Sequence, residues 1–320
     1  DYAHYRAVSD EIFAIFSRYA PVVALLSIDE AFLDLTGMEL LMESPRAYAE
    51  KLKAEIREKT GLVASVGIAP NKFLAKLASD LEKPDGLVII TEEGEQAVLD
   101  PLPVGRIWGV GEKTAARLAA LRIRTIGQLR RTPREKLVRS LGAHMADHLL
   151  ALASGMDARP VAPREAAKSI GKEVTFPADI ESAEEVERVL LDLSEKVGYR
   201  LRRKGVKGRT IQLKLRLSDF RTYTRSHTLP EATCYDREIY ETALALCRAL
   251  GVHQGIRLLG ISVSGFDTSG AISLFREEVH KESLYAAIDA IKKRFGEQGI
   301  TKAHLLKKDC AGDGDKDGEV

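Results

Sequence analysis

The stretch "SIDEAFLDLTG" at residues 27–37 places two adjacent carboxylates, Asp29 and Glu30, directly after the apolar run "VVALLS". That run and the following "AFLDLT" have the composition of two short strands, so the pair falls at the turn between them. Successive side chains point to opposite faces along a regular strand, so both carboxylates can serve one site only where the strand ends. The stretch therefore predicts a β-hairpin with two negative charges at its tip.

The carboxylate pair has two interpretations. Adjacent carboxylates repel each other, and a divalent metal relieves the repulsion. Oxygen ligands favour Mg²⁺, which takes one or two carboxylates together with substrate phosphates. Acidic residues are also common in hairpin turns that face water. The pair alone is therefore consistent with a magnesium site and with a solvated turn.

Helical and strand patterns alternate around this hairpin. Apolar residues recur every three or four positions over residues 2–19, and Pro45 and Gly61 bound a second helical stretch. "LVASVGIA" (62–69) and "GLVII" (86–90) are strand-like and flank the helical "NKFLAKLASDLE". The first 100 residues are therefore predicted to layer helices on a sheet.

Two features near the third helix favour phosphate binding. The helix begins directly after a strand, so its N-terminal N–H groups can meet a phosphate. Lys83, in the turn after the helix, directly precedes Pro84, which fixes the position of its ammonium group. Lys72 and Lys76 lie one helical turn apart, which predicts a solvated helix face.

A second region begins after Pro101 and Pro103 and is built from short helical patches. "IWGVGEKTAARL" opens a helix at Gly109 and Gly111, the pattern of a helix-hairpin-helix, in which backbone N–H groups approach a phosphate. Lys113 and Thr114 can add contacts. Thr114 stands where a dinucleotide-binding loop has its third glycine, so that kind of site is excluded.

Charge is distributed unevenly along the chain although the net charge is +1. Residues 101–230 hold 26 basic residues against 14 acidic ones, net +12, whereas residues 1–100 have a net charge of −8 and residues 231–320 a net charge of −3. A basic middle between acidic flanks is consistent with a phosphate-backbone partner for that segment, and also with a solvated basic surface.

The third region predicts a small sheet backed by two helices. "RTIQLKLRL", "RTYTRSHTL" and "IRLLGISVSGF" have strand character, and residues 182–203 and 235–250 have helical periodicity. No stretch approaches the roughly 18 consecutive apolar residues of a membrane span. No C-x-x-C pair and no serine nucleophile motif occurs. We therefore expect a cytoplasmic protein with reduced thiols.

Four motifs in order, "SIDEAFLDLTG", "SVGIAPNKFLAKLASDLEKPDGL", "IWGVGEKTAARL" and "KSIGKEVTF", resemble those of the Y-family translesion DNA polymerases. The resemblance implies an α+β multidomain fold. It implies a partial palm at 1–100 with a mixed sheet and helices, an all-helical thumb at 101–163, a little finger at 164–266 and a tail at 267–320.

The resemblance also implies roles for individual residues. Asp29 and Glu30 match the metal-binding pair that holds two Mg²⁺ ions, and Lys83 matches a lysine on the incoming dNTP. The implied activity is template-directed synthesis past damaged bases, in DNA repair and the SOS response. The thumb motif would hold primer-template phosphates, together with the little finger strand "RTYTRSHTL", which carries Arg221 and Arg225 on one face.

A partner is implied for the tail. Ile272, Leu274 and Phe275 in "SGAISLF" resemble the peptide that docks on the bacterial sliding clamp, although Ser269 stands where that peptide has glutamine. The alternative is hydrophobic packing on the little finger. We expect a monomer.

One departure from the family concerns the start of the chain. Family members begin with a palm strand carrying another metal-binding aspartate and with a fingers domain, and about 70 to 80 such residues have no counterpart here. We therefore expect the chain alone not to extend a primer. The alternative function is a non-catalytic DNA-binding and clamp-binding fragment, and a metal-dependent nuclease ranks behind both.

Overall fold

The structure, a computed structural model, forms two compact units, residues 1–165 and 166–320. It describes residues 2–163, 166–251, 255–267, 276–296 and 299–305. In that part of the chain no helix is long and apolar enough to cross a membrane.

The first unit combines short strands with helices, and short helices dominate its second half. Its strands are β1 (Val22–Leu25), β2 (Ala31–Asp34), β3 (Val66–Ile68) and β4 (Leu87–Ile89). Its helices are α1 (Tyr2–Tyr19), α2 (Pro45–Thr60), α3 (Lys72–Leu81), α4 (Glu95–Leu99), α5 (Glu112–Ala120), α6 (Ile126–Arg130), α7 (Arg134–Leu141) and α8 (Ala143–Ala153).

The strands of this unit pair in twos. Strands β1 and β2 form the predicted antiparallel hairpin, with Leu25 opposite Ala31, and β3 and β4 run parallel, with Val66 opposite Leu87. Strand β3 is shorter than the predicted 62–69, because residues 62–65 precede the first paired residue. Helix α2 has the predicted limits: Ser44 Oγ accepts from Ala47 N, and Gly61 ends the helix in the left-handed region at φ 71°.

One hydrophobic core joins helix α3 to the helices that follow residue 100. Phe73 and Leu74 of α3 are fully buried in the same cluster as Leu118, Leu149 and their neighbours. Residues 1–100 and 101–163, predicted as separate palm and thumb, therefore share one core in the structure.

The second unit is a four-stranded antiparallel sheet with helices on one face. Its elements are β5 (Ser169–Ile180), α9 (Ala183–Arg203), β6 (Lys207–Leu217), β7 (Thr222–Thr233), α10 (Asp236–Leu250), β8 (Ile256–Asp267) and α11 (Arg276–Phe295). The strand order is β5-β8-β6-β7. Alternate residues of β6, from Ile211 to Leu217, pack with α9 and α10 in one core. Strand β5, which begins in the motif "KSIGKEVTF", was not predicted.

Helix α11 packs on this unit through charged and aromatic side chains. Arg202 of α9 donates to Asp236 and to Asp289 of α11, with both N–O distances 2.8 Å. The rings of Tyr235 and Tyr285 stack with centroids 5.1 Å apart. Part of the predicted tail therefore belongs to the second unit.

Candidate functional site

The turn between β1 and β2 holds the carboxylate pair in a fixed backbone. The N–H groups of Leu26 and Ser27 both donate to the carbonyl of Glu30, at 2.9 and 3.2 Å. Ser9 of α1 donates to the Ile28 carbonyl at 2.5 Å, which ties the turn to the helix. Strand β1 has ended before this point, as predicted, so the side chains of Asp29 and Glu30 need not point to opposite faces.

The two carboxylates have different surroundings. Asp29 is exposed and accepts from Ser27 Oγ at 2.5 Å. Glu30 is half-buried, and its Oε1 lies 3.1 Å from Lys76 Nζ on helix α3. One carboxylate is therefore open to a ligand while the other is oriented by a cation.

Lys76 joins the hairpin to helix α3. Its ammonium contacts Glu30 and also lies 2.7 Å from Asp80 Oδ2, and only 19% of its side chain is exposed. Burial favours loss of its proton, but Asp80 and Glu30 outweigh this and raise the pKa of Lys76. The predicted solvated face is wrong for Lys76, because Glu30 of the hairpin and Asp80 of α3 both contact its ammonium and little of its side chain is exposed.

Lys83 continues this line of charges. Its Nζ lies 2.5 Å from Asp80 Oδ1, and half of its side chain is exposed. The following turn is held by Lys53 of α2, which pairs with Asp85 Oδ1 at 2.9 Å and donates to the Gly86 carbonyl at 3.0 Å. Glu30, Lys76, Asp80 and Lys83 thus alternate in sign, and the exposed ammonium of Lys83 can meet an anion.

A cleft of about 1290 Å³ brings these groups together. Asp29, Glu30, Lys76 and Lys83 line it, along with apolar side chains of α1, β2 and α2. Carboxylates and ammonium groups at one cleft suit a ligand that carries both a divalent cation and phosphates.

The donor set fits Mg²⁺. Both donors are carboxylates, and Mg²⁺ keeps several waters while taking one or two carboxylates and substrate phosphates. Within the described part of the chain, no group of three His, Cys, Asp or Glu side chains forms a metal cage. Asp29 and Glu30 would therefore share any Mg²⁺ with water and with a bound phosphate.

The predicted helix-hairpin-helix glycines open helix α5. Gly109 has φ +97°, in the left-handed region that favours glycine, and Gly111 is the N-cap residue of α5. Neither glycine has an atom within 4 Å of the position a Cβ would take. Lys113 is exposed and Thr114 half-buried in the first helical turn. The N–H groups at the start of α5 are therefore accessible to a phosphate.

The two arginines predicted on one strand face have different settings. Strand β7 begins at Thr222, so Arg221 lies in the preceding turn, where its Nε contacts Asp219 Oδ2 at 2.6 Å. Arg225 is exposed and pairs across the ladder with Leu213, whose side chain faces the helices. The predicted strand began one residue early, although the Leu217 N–H still donates to the Arg221 carbonyl at 2.9 Å, and a shared DNA-facing role of the two arginines stays a prediction.

Sequence reasoning missed the basic residues on the opposite sheet face. Lys214 and Arg216 of β6 alternate with the buried Leu213 and Leu215, so they lie on the face away from the helices. Lys214 pairs with Glu173 of β5 at 2.8 Å. Their signal was the strict alternation in "RTIQLKLRL". Ile272, Leu274 and Phe275 lie outside the described residues.

Known protein families match three segments of the chain. Residues 1–80 match the impB/mucB/samB family, residues 92–123 the IMS family HHH motif, and residues 167–274 the impB/mucB/samB family C-terminal domain. A DNA polymerase IV of Desulfatibacillum aliphaticivorans is 39% identical over 95% of this chain and 78% of its own length. One from Clostridium kluyveri is 37% identical over 96% of this chain and 80% of its own.

Solved structures are also similar. A Y-family DNA polymerase chimera, Dbh-Dpo4(243-245)-Dbh, has a TM-score of 0.73 and 28% identity, over 82% of this chain and 76% of its own. An insertion ternary complex of Dbh DNA polymerase has a TM-score of 0.56 and 26% identity, over 83% of this chain and 77% of its own.

Proposed function

We propose that Asp29 and Glu30 form the nucleotidyl-transfer site of this protein. The chain belongs to the impB/mucB/samB family of Y-family DNA polymerases and is by family a DNA-directed DNA polymerase. The observation that carries this proposal is the single cleft lined by both carboxylates and by Lys83. We include synthesis past damaged template bases in the proposal, as the family resemblance implies.

In this proposal the carboxylates of Asp29 and Glu30 would hold two Mg²⁺ ions together with the triphosphate of a dNTP. The bound ions would lower the pKa of the primer 3′-hydroxyl and stabilise charge on the attacking and leaving oxygens. Lys76 keeps the Glu30 carboxylate oriented from the α3 side. Lys83, half exposed beside Asp80, places its ammonium where it can contact the triphosphate.

DNA binding is proposed for the basic middle of the chain. The N–H groups at the start of α5, with Lys113 and Thr114, would contact backbone phosphates without reading sequence. Arg221, Arg225 and the sheet face that carries Lys214 would contact the duplex in the second unit. The ternary complex among the similar structures supports DNA and nucleotide as ligands.

The test is primer extension. It is measured for the chain and for a fusion in which the N-terminal residues of the Desulfatibacillum relative precede it, since the family resemblance implies a further metal-binding aspartate in that segment. We expect Mg²⁺-dependent templated extension by the fusion and its loss in Asp29→Asn and Glu30→Gln. Asp10→Asn, an exposed carboxylate of α1 outside the cleft, is the matched control.

Two results would count against the assignment. Full extension by the fusion with both substitutions would remove the metal role of the pair. DNA binding without any extension would favour the alternative of a non-catalytic DNA-binding protein.

A sliding-clamp contact is proposed for Ile272, Leu274 and Phe275 from the family resemblance alone. Replacing Leu274 and Phe275 by alanine should abolish binding to a bacterial sliding clamp in a pull-down with purified proteins. Unchanged clamp binding would make this proposal wrong.

A further inference from the structure

The turn between β6 and β7 holds an exposed phenylalanine in an unfavourable backbone conformation. Phe220 has φ +67°, and 63% of its surface is exposed. Its N–H donates to the Leu217 carbonyl at 3.0 Å, and the Leu217 N–H donates to the Arg221 carbonyl at 2.9 Å. The turn is therefore closed by two backbone hydrogen bonds that leave the ring outside.

Folding alone does not explain this residue. Left-handed backbone favours Gly, Asn or Asp, and a bulky residue there is strained. The exposed ring also gains little from burial. Strained backbone positions cluster at active sites, ligand clamps and switch regions, which makes Phe220 a candidate for ligand contact.

The surroundings of the ring indicate the kind of ligand. The guanidinium of Arg257 lies 4.9 Å from the ring centroid of Phe220, and Arg257 also contacts Asp179 at 3.6 Å. Arg221 follows Phe220 directly, and Arg216 donates to Thr222 Oγ1 at 3.0 Å, two residues after the ring. Three guanidinium groups therefore lie in this region, that of Arg221 in the turn, that of Arg216 on β6 and that of Arg257 on β8.

An aromatic ring among guanidinium groups fits a nucleic acid better than a protein. Protein docking surfaces present contiguous apolar patches. In the described part of the second unit, the other exposed large hydrophobic side chains are Leu284 and Phe295, both on α11. A lone ring with cations matches the combination of base stacking and phosphate attraction that single-stranded nucleic acids use.

We propose that Phe220 stacks on an unpaired base of the template strand, with Arg257 holding the ring and the neighbouring phosphate. The stacked faces of bases are covered inside a duplex, so a ring can stack only on an unpaired base. A polymerase template is unpaired beyond the primer end, and the inference rests on the proposed function in this respect.

The experiment compares DNA ligands that differ in unpaired bases. Affinity is measured for a primer-template with an unpaired 5′ template and for a blunt duplex of the same paired length. Base stacking on an aromatic ring is worth ~1–3 kcal/mol by substitution, so Phe220→Gly should weaken overhang binding about 5- to 150-fold. Blunt-duplex binding should stay unchanged. Phe220→Trp should retain overhang binding.

Controls separate stacking from folding and from general hydrophobicity. Glycine suits the φ of +67°, so Phe220→Gly should unfold at the same temperature as the parent or a higher one. Phe295→Ala removes another exposed ring, 65% exposed, and should leave both affinities unchanged. Template strands carrying 5-iodouracil at the unpaired positions should crosslink to Phe220 on irradiation, and mass spectrometry should locate the adduct.

Two results would overturn the inference while leaving the proposed function intact. One is overhang affinity unchanged by Phe220→Gly, which would favour a protein partner for the ring. The other is an equal loss on the overhang and on the blunt duplex. Absence of any DNA binding by the parent chain would instead refute the proposed function and this inference together.

Discussion

Lys76 Nζ lies 3.1 Å from Glu30 Oε1 and links helix α3 to the β1–β2 hairpin. The same nitrogen contacts Asp80, which in turn contacts Lys83. Glu30, proposed to hold metal, and Lys83, proposed to hold phosphate, are therefore linked through Lys76 and Asp80 of α3. Replacing Lys76 should therefore alter the positions of both side chains.

Replacing Lys76 by methionine should destabilise the first unit by about 1 kcal/mol. The substitution leaves Glu30 and Asp80 partly buried without their shared cation, and partial exposure reduces the cost. Lys76→Arg should recover part of the loss. Urea unfolding measures the effect, and Lys51→Met, an exposed lysine of α2, is the control. An equal loss from both methionine variants would contradict the bridging role.

Gly109→Ala should cost about 1–2 kcal/mol, whereas Gly111→Ala should cost much less. Both glycines have open space where a Cβ would lie, so only the backbone differs. Gly109 has φ +97°, which an L-residue adopts only with strain, and Gly111 has φ −83°. Equal thermal unfolding midpoints for the two variants would show that the turn relaxes.

Asp157→Asn should make the free energy of unfolding depend less steeply on pH at acidic pH. Burial pushes the pKa of Asp157 upward, but Arg159 and the N–H groups of Arg159 and Phe73 outweigh it and hold the pKa below its ordinary value. A lowered carboxyl pKa stabilises the fold above the unfolded value, and this stability is lost as pH falls through the folded value. The difference between parent and variant should therefore shrink below about pH 4.

Denaturant unfolding at a series of pH values measures that difference. Asp10→Asn changes an exposed carboxylate of the same unit and should shift stability little at any pH. If parent and Asp157→Asn had the same free energy of unfolding at every pH, the lowered pKa of Asp157 would be wrong.

Arg202→Met should destabilise the second unit by about 3–5 kcal/mol. Only 9% of the Arg202 side chain is exposed, and its removal leaves the buried Asp236 with Lys302 at 4.0 Å in place of a contact at 2.8 Å, and Asp289 without its arginine partner. Arg203→Met, at the exposed neighbouring position, should change stability by less than about 0.5 kcal/mol. Calorimetry can compare the two variants, and similar transitions in both would make the prediction wrong.

DNA affinity should fall steeply with salt. Phosphate contacts release counterions, so log affinity should decrease linearly with log salt concentration. Lys113→Met should reduce the slope by about 1 if this exposed lysine contacts a phosphate. Lys51→Met, on the acidic first segment, should leave the slope unchanged. Fluorescence anisotropy of labelled primer-template measures both, and a flat salt dependence would exclude phosphate-driven binding.

Local signals in the sequence determined much of the secondary structure. Pro45 begins helix α2 and Gly61 ends it through effects on the backbone within one helical turn. The ends of α2 could therefore be predicted without knowing the rest of the fold. The hairpin tip at Asp29 and Glu30 was likewise predictable, because two apolar runs separated by polar residues have few alternatives. Errors arose at strand ends, as at Arg221, where pairing sets the boundary.

The sequence by itself determined the family, the order of its regions and the position of the carboxylate pair, since each depends on residues close together in the chain. Tertiary structure alone decided the partners of those residues. Lys76 meets Glu30 across 46 positions because the fold brings α3 beside the hairpin turn, and Arg202 meets Asp289 because α11 folds back on α9. Such contacts depend on how elements pack. Helical periodicity shows that Lys76 lies on the polar face of α3, but it does not show which carboxylate that face will meet.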